Sequence, residues 1–174
     1  TDFNLPATYT DKNGNTYRFS YDSHGSMTRI NGPLGLSVAF EYDSHGWQTS
    51  ATDAMGNQTT TTYNEDGTTA SVTDAKGNTV RFEYDQYGNI TSYTDALSHK
   101  TRYVYDQMNR LTVQTDALEH TTSISFDKAG RVVRVRNAQN RISAFTYDAL
   151  GRVLTQTNPA GGTFTYTYDG KGNV

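Results

Sequence analysis

The chain has 174 residues, enough for one ordinary domain, but only 34% of them are hydrophobic, which disfavours a compact globule with a thick aliphatic core. Thirteen tyrosines and seven phenylalanines disfavour disorder and, with the many threonines, favour a thin β-sheet. The net charge is −3 and there is no basic run, so nothing indicates a nucleic-acid partner. The absence of cysteine excludes disulfides, thiol catalysis and Cys-based zinc sites. No apolar run approaches the length of a membrane span, about 18 residues.

The first ten residues look like a degraded partial repeat, with Asn4 in a glycine position and Pro6 where later copies begin a strand. From residue 11 to residue 174 the pattern is regular. Residues 11–14 predict a turn, 15–21 a strand, 22–25 a second turn and 26–31 a return strand. Turns recur every 10 or 11 residues, which predicts an up-and-down meander of about sixteen antiparallel strands with little or no helix.

One motif returns every 21 residues without insertion or deletion. It consists of an aromatic residue, then Asp or Asn, and a glycine four positions after the aromatic residue, which Asn109 replaces in one copy. A fixed period over eight copies indicates a repeat architecture, so we expect residues 1–174 to form a single array of about eight repeats. The structural repeat motif comprises Tyr21, Asp22, Gly25, Tyr42, Asp43, Gly46, Tyr63, Gly67, Tyr84, Asp85, Gly88, Tyr105, Asp106, Asn109, Phe126, Asp127, Gly130, Tyr147, Asp148, Gly151, Tyr168, Asp169 and Gly172.

Both kinds of turn read D-x-x-G in their best copies. Asp at the first position accepts a backbone N–H, and Gly at the fourth tolerates positive φ, so we predict type I turns closed by a bulge, with Gly88 and Gly151 at positive φ. A second series, between the motif copies, includes Gly32-Pro33-Leu34-Gly35 and is degraded where Ser98, Glu119 and Asn140 replace the glycine.

Side-chain alternation supports the strands. One face of each strand that leads to the motif carries aromatic and aliphatic residues, such as Phe82 and Tyr84, and the opposite face carries polar ones, such as Arg81 and Glu83. Strict alternation predicts one buried and one solvated face. In the return strands, apolar residues three apart, such as Met27 and Ile30, break the alternation, which we attribute to a bulge just past the glycine.

The array resembles the RHS, or YD, repeat family. The clearest matches are residues 147–153 (YDALGRV), 126–132 (FDKAGRV) and 105–111 (YDQMNRL), and the resemblance extends from about residue 11 onward. It implies a long β-ribbon that spirals into a hollow shell; the family includes bacterial Rhs toxins, Tc-toxin shell components and teneurins. The family's C-terminal core segment with its autoproteolytic aspartates, and a toxin tail, have no counterpart here, so we expect a piece of a longer protein.

Other chemistry has simpler explanations. The turn aspartates could bind calcium, but their spacing matches neither an EF-hand nor a calcium-binding β-roll. The geometry of the turn already explains why aspartate stands at these positions. The histidines form two registered pairs, His24 with His45 and His99 with His120, which repeat copying explains. No Ser, His or Asp is singled out as in a triad, and no facing carboxylate pair is preferred, so we expect no catalytic, cofactor-binding or metal residues.

The resemblance therefore implies a non-catalytic wall segment of a shell that encloses a toxin or other cargo. Its expected partners are the remainder of the parent shell and that cargo, with self-association through the end strands or the aromatic face; no nucleic acid or membrane span is expected. The resemblance also implies a secreted or cell-surface protein whose export signal lies outside this stretch. The alternative is a cell-surface module that binds glycans or protein partners through its aromatic face.

Overall fold

A computed structural model describes residues 4–174, so residues 1–3 of the predicted partial repeat lie outside the described residues. Sixteen strands follow one another in chain order in an antiparallel sheet, which confirms the predicted all-β meander. The one helical segment in residues 4–174 is a short 3₁₀ turn, Pro33–Gly35. None of the described helices is long and apolar enough to cross a membrane.

The chain divides into two compact units, whose boundary follows Phe82 inside β8. The first unit contains β1 (Thr8–Thr10), β2 (Thr16–Tyr21), β3 (Met27–Asn31), β4 (Ser37–Tyr42), β5 (Gln48–Thr52), β6 (Gln58–Tyr63), β7 (Thr69–Thr73) and the first part of β8 (Thr79–Tyr84). The second contains the end of β8, then β9 (Ile90–Thr94), β10 (Lys100–Tyr105), β11 (Leu111–Thr115), β12 (Thr121–Phe126), β13 (Val132–Arg136), β14 (Ile142–Tyr147), β15 (Val153–Thr157) and β16 (Thr163–Thr165).

Each even-numbered strand from β2 to β14 ends at the aromatic residue of a repeat, and Tyr168 lies just past β16. The register of the hairpins shifts at that point: Ser20 pairs with Arg29, whereas Tyr21 pairs with Met27. One extra residue therefore lies in the return strand, and Met27 and Ile30 reach the same face although they are three apart. This confirms the predicted bulge.

The two faces differ from the expected pattern of burial. The aromatic face, which includes Phe19 opposite Ile30, is half-buried, and among residues 4–174 no hydrophobic side chain is fully buried. The fully buried side chains of this range are Ser50 and Ser92, at 4% and 3% exposure, on the polar face. The expectation of a buried aromatic face is therefore wrong, because alternation fixes which face a side chain occupies but not whether anything covers that face.

Candidate functional site

The most regular feature of the molecule is the row of turns that follows the aromatic residues. At Asp148, the backbone N–H of Gly151 donates to the Asp148 carbonyl at 3.1 Å, and the N–H of Asp148 donates to the Arg152 carbonyl at 2.9 Å. Asp148 Oδ1 accepts the backbone N–H groups of Leu150 and Arg152, each at 2.9 Å. Gly151 has a φ of +84° and Gly88 one of +82°, so the predicted positive φ is confirmed at both.

In several turns of both series, the second carboxylate oxygen binds the side chain four residues on. The amide of Asn78 donates to Asp74 Oδ2 at 2.8 Å, and the guanidinium Nε of Arg110 donates to Asp106 Oδ2 at 2.7 Å. The Asn78 side chain, followed by backbone N–H groups, lowers the pKa of Asp74, and the Arg110 side chain lowers the pKa of Asp106. These carboxylates therefore remain ionised and stabilise the turn, and their oxygens accept hydrogen bonds from groups of the same turn.

Three arginines in successive repeats of the second unit also contact the aromatic ring of the next repeat. The guanidinium carbon of Arg110 lies 4.4 Å from the ring centroid of Phe126, and Arg131 lies 4.7 Å from that of Tyr147. Arg152 repeats the arrangement at 4.3 Å over Tyr168. Each arginine thus binds the aspartate of its own turn and covers the aromatic ring of the following repeat, a cation–π contact worth about 0.5–1 kcal/mol at exposed sites.

In the first unit, Trp47 occupies the position that these arginines hold. Its ring centroid lies 5.4 Å from that of Tyr63 and 4.7 Å from that of His45, with which it stacks. A Cβ at Gly67 would lie 2.8 Å from the Trp47 ring. The indole is half-buried and packs against these neighbours, so we assign Trp47 a packing role.

The tyrosine hydroxyl makes a contact that the sequence analysis missed. Tyr147 Oη donates to the backbone carbonyl of Val132 at 2.7 Å, fifteen residues earlier, at the start of the preceding return strand. The same bond occurs from Tyr21, Tyr42, Tyr63, Tyr105 and Tyr168. Phe126 has no hydroxyl to make it. The available signal was that seven of the eight motif copies carry Tyr rather than Phe.

The turns that lack glycine keep the same conformation. Ser98, Glu119 and Asn140 have φ values of 69°, 62° and 61°, and Asn109 has 58°. Each donates its backbone N–H to the carbonyl three residues earlier, as the glycines do. The degraded turns are therefore intact turns with a strained fourth residue.

The turn after Asn31 departs from the predicted pattern. Residues 33–35 form a 3₁₀ turn in which Leu34 has a φ of 58°, and the Leu36 N–H donates to the Pro33 carbonyl at 3.1 Å. Gly32 replaces the aspartate that anchors other turns and Pro33 fixes its own φ, so the prediction of the common turn type here is wrong.

The histidines lie at turns, as predicted. His99 Nδ1 lies 2.9 Å from Asp95 Oδ2 and His120 Nδ1 lies 3.0 Å from Asp116 Oδ2, so these imidazoles replace the asparagine amide of other turns. Within residues 4–174 there is no cluster of three or more His, Asp or Glu side chains able to hold a metal ion.

Two grooves of the first unit are of interest for binding. One, of about 450 Å³, is lined by residues of two adjacent turns that include Asp22, His24, Asp43 and His45. The other, of about 520 Å³, lies on the aromatic face. It is lined by Tyr9, Asp11, Tyr17, Phe19, Ile30 and Leu36.

The sequence model of the family described as RHS Repeat matches residues 42–79, 63–97, 84–121, 126–163 and 149–174. These segments together cover more than half of the chain. The chain belongs to the RHS repeat family. Arg110, Arg131 and Arg152, most of the turn aspartates and most of the bonded tyrosines lie within the matched residues.

Three solved structures are similar to this RHS array. The TcdB2-TccC3-Cdc42 structure matches 95% of the chain with a TM-score of 0.50 at 14% identity, and the match covers 14% of that chain. The TcdB2-TccC3 structure has a TM-score of 0.48, and the Photorhabdus luminescens Tc holotoxin pore has a TM-score of 0.42. Each match has 14% identity and covers 95% of this chain and 14% of the other chain. The first similarity establishes the fold alone, and the chain spans about 14% of each of these chains. No match to a curated protein was found.

Proposed function

We propose that the RHS array is a non-catalytic wall segment of a shell that encloses a toxin or other cargo. The observation that carries the proposal is that residues 4–174 contain no fully buried hydrophobic side chain, although every repeat supplies an aromatic residue. The sheet is held by its ladder, its turn aspartates and its tyrosine hydroxyls rather than by a core. A sheet of this kind can be lengthened repeat by repeat and keep two environments apart.

Membership of the RHS family and the fold shared with the TcdB2-TccC3-Cdc42 structure support this function. The carboxylates of Asp106, Asp127 and Asp148 are occupied within their turns, which supports a structural role for them. The same proposal places the protein outside the cell or at its surface, with the remainder of the shell and the cargo as its partners.

Protection of the cargo tests the proposal in the longer protein that carries these repeats. A protease site inserted into the cargo should resist cleavage in the native protein and become accessible when the wall is loosened by Asp127→Ala together with Asp148→Ala. Leu150→Ala, an exposed change in the same turn, is the matched control and should preserve protection. Equal cleavage of the cargo site in native and unfolded protein would exclude encapsulation.

The groove on the aromatic face favours the second candidate, a module that binds glycans or protein partners. Tyr9 is 57% exposed there, and its ring centroid lies 6.1 Å from that of Tyr17. The Asp11 carboxylate already accepts three hydrogen bonds, from Asn13 and Asn15. Titration with a glycan panel should leave tyrosine fluorescence unchanged in a wall segment; a saturable change that Tyr9→Ala abolishes would instead favour the binding module.

A further inference from the structure

The groove between the first two motif turns lacks a side chain that later repeats supply. It has a volume of about 450 Å³, and its lining includes Asp22, Ser26, Tyr42 and Asp43. In three repeats of the second unit, the residue after the fourth position of the turn is an arginine, which lies over the aromatic ring of the next repeat. Ser26 holds that position in the first repeat, and the ring sixteen residues on is that of Tyr42.

The glycines of the following turns show that the space for a guanidinium is open in this groove. A Cβ at Gly130 would lie 3.5 Å from Arg110 Nη1. A Cβ at Gly151 would likewise lie 3.8 Å from Arg131 Nη1. Gly46 is the corresponding glycine in the lining of the groove, and a Cβ there would have no such neighbour within 4 Å. The position that an arginine fills in later repeats is therefore accessible here.

The aspartate of the first motif turn has an oxygen available for such a group. Asp22 Oδ1 accepts the backbone N–H groups of His24 and Ser26 at 2.8 and 2.9 Å, whereas no residue within 4–174 donates a hydrogen bond to Asp22 Oδ2. In the three arginine repeats, the equivalent oxygen accepts the arginine Nε at 2.7 Å. The backbone N–H of Ser26 lowers the pKa of Asp22, so this carboxylate is ionised at neutral pH.

The other two contacts of a bound arginine are also present in the groove. Arg131 Nη1 donates to the Asp148 carbonyl of the next turn at 3.1 Å, and Asp43 holds the equivalent position in the lining. The ring is that of Tyr42, whose hydroxyl donates to a backbone carbonyl at 2.8 Å as the tyrosines of later repeats do. Burial, followed by the charge of Asp22, raises the pKa of Tyr42, which agrees with a carboxylate near the ring.

The remaining motif turns lack this combination. Counting the copy at Tyr21 as the first, the second repeat has Trp47 over the next ring at 5.4 Å. The third has Asn64, which carries no charge, in place of the aspartate. In the fourth, the Asn89 amide donates to Asp85 Oδ2 at 2.9 Å, and the eighth has the same asparagine contact. Among residues 4–174, the first repeat alone joins an unbonded aspartate oxygen to a ring that lines an open groove.

We propose that this groove binds the guanidinium of an arginine side chain from a partner polypeptide. The guanidinium would lie over Tyr42, donate to Asp22 Oδ2 and reach the Asp43 carbonyl. A planar guanidinium suits a carboxylate beside an aromatic ring better than a lysine ammonium does. The lining contains no Lys or Arg, so the α-carboxylate of free arginine would find no cation there, whereas an arginine within a polypeptide has no such group.

This inference goes beyond the proposed shell function, and the two can fail separately, because cargo protection reports on the wall and ligand titration on the groove. The probe is N-acetyl-arginine methylamide, titrated into the 174-residue chain and followed by the backbone amide signals in NMR. Signals of residues 22–26 and 43–46 should shift along one saturating curve. The neutral isostere N-acetyl-citrulline methylamide should not shift them, and free arginine should bind more weakly. No saturable shift at these turns, equal shifts with the citrulline compound, or free arginine binding as tightly as the blocked form would overturn the proposal.

Asp22→Asn removes the charge and keeps the turn, since Asn137 Oδ1 accepts the same two backbone N–H groups in its own turn. The affinity for the blocked arginine should fall by at least about tenfold. Asp53→Asn makes the same change in a turn outside the groove and is the matched control, which should bind as the unmodified chain does. Equal binding by the Asp22 and Asp53 variants would overturn the proposal.

Ser26→Arg is the reciprocal experiment, because it places in the groove the side chain that later repeats carry. This variant should lose binding of the blocked arginine and unfold at a higher urea concentration than the unmodified chain. Ser23→Arg adds the same charge at an exposed position of the same turn that does not line the groove, and it should retain binding. A Ser26→Arg chain that binds the probe as tightly as the Ser23→Arg chain would overturn the proposal.

Discussion

The tyrosine hydroxyl gives the sharpest test of how adjacent repeats are joined. Tyr147 Oη donates to the Val132 carbonyl at 2.7 Å in a part-buried position. Tyr147→Phe removes that bond and little else, and a net hydrogen bond contributes about 0.5–1.5 kcal/mol, so we expect a loss of about 1 kcal/mol in the free energy of unfolding. For a chain of this size that corresponds to a fall in Tm of about 2–4 °C.

Phe126 provides the reciprocal experiment. Arg110 covers the Phe126 ring at 4.4 Å much as Arg131 covers Tyr147 at 4.7 Å, so the two sites differ chiefly in the hydroxyl. Phe126→Tyr should therefore give a donor to the Leu111 carbonyl and raise stability by up to about 1 kcal/mol. The hydroxyl of Tyr87, which is 69% exposed, serves as the control, and Tyr87→Phe should change stability by less than about 0.5 kcal/mol.

Urea denaturation followed by circular dichroism measures all three variants. The reasoning fails if Tyr147→Phe lies within the range of Tyr87→Phe, or if Phe126→Tyr destabilises the chain. Opposite shifts at Tyr147 and Phe126, with no shift at Tyr87, would assign the stabilisation to the hydroxyl rather than to the aromatic ring.

Three further predictions concern the turns. Ser98→Gly should stabilise the chain by about 1 kcal/mol in a urea titration, because Ser98 has a φ of 69°; a loss of stability would show that its side chain matters more than the backbone strain. Gly67→Ala should destabilise more than Gly88→Ala in the same assay, since both have positive φ but a Cβ would lie 2.8 Å from Trp47 only at Gly67, and equal losses would contradict this packing. The pKa values of Asp74, Asp106 and Asp127 are lowered in the folded chain, so these groups contribute stability above the unfolded pKa of about 3.9, and that stability is lost as the pH falls through the folded pKa values. The urea midpoint should therefore be level from pH 7 to pH 5 and drop below about pH 4. A midpoint unchanged at pH 3 would contradict this prediction.

The local chemistry of the turns could be predicted from sequence because it involves neighbouring residues. Asp85 and Gly88 lie three positions apart, and the requirements for a backbone acceptor and a positive φ are met within that stretch. The bulge also followed from spacing, since Met27 and Ile30 reach one face only if one residue is extra. These features depend on the chain within one hairpin.

The contacts between repeats could not be derived in the same way. The Tyr147 hydroxyl reaches a carbonyl fifteen residues back, and Arg131 reaches a ring sixteen residues ahead. Both depend on how far one hairpin lies from the next in the sheet, which the residue types do not specify. The extent of burial also depends on what lies over a face, and alternation at Phe19 and Ile30 contains no information about that.

The inter-repeat contacts explain how a sheet without a covered core holds together. Tyr147 ties its repeat to the preceding one, and Arg152 in the same repeat reaches the ring of the next. The repeat of Tyr147 is thereby joined to its neighbours on both sides by bonds that do not require another layer of structure. Stability in such an array approximates a sum of repeat and neighbour terms. A lost hydroxyl should therefore loosen the junction at which it lies, and repeats several periods away should keep their hydrogen-exchange protection.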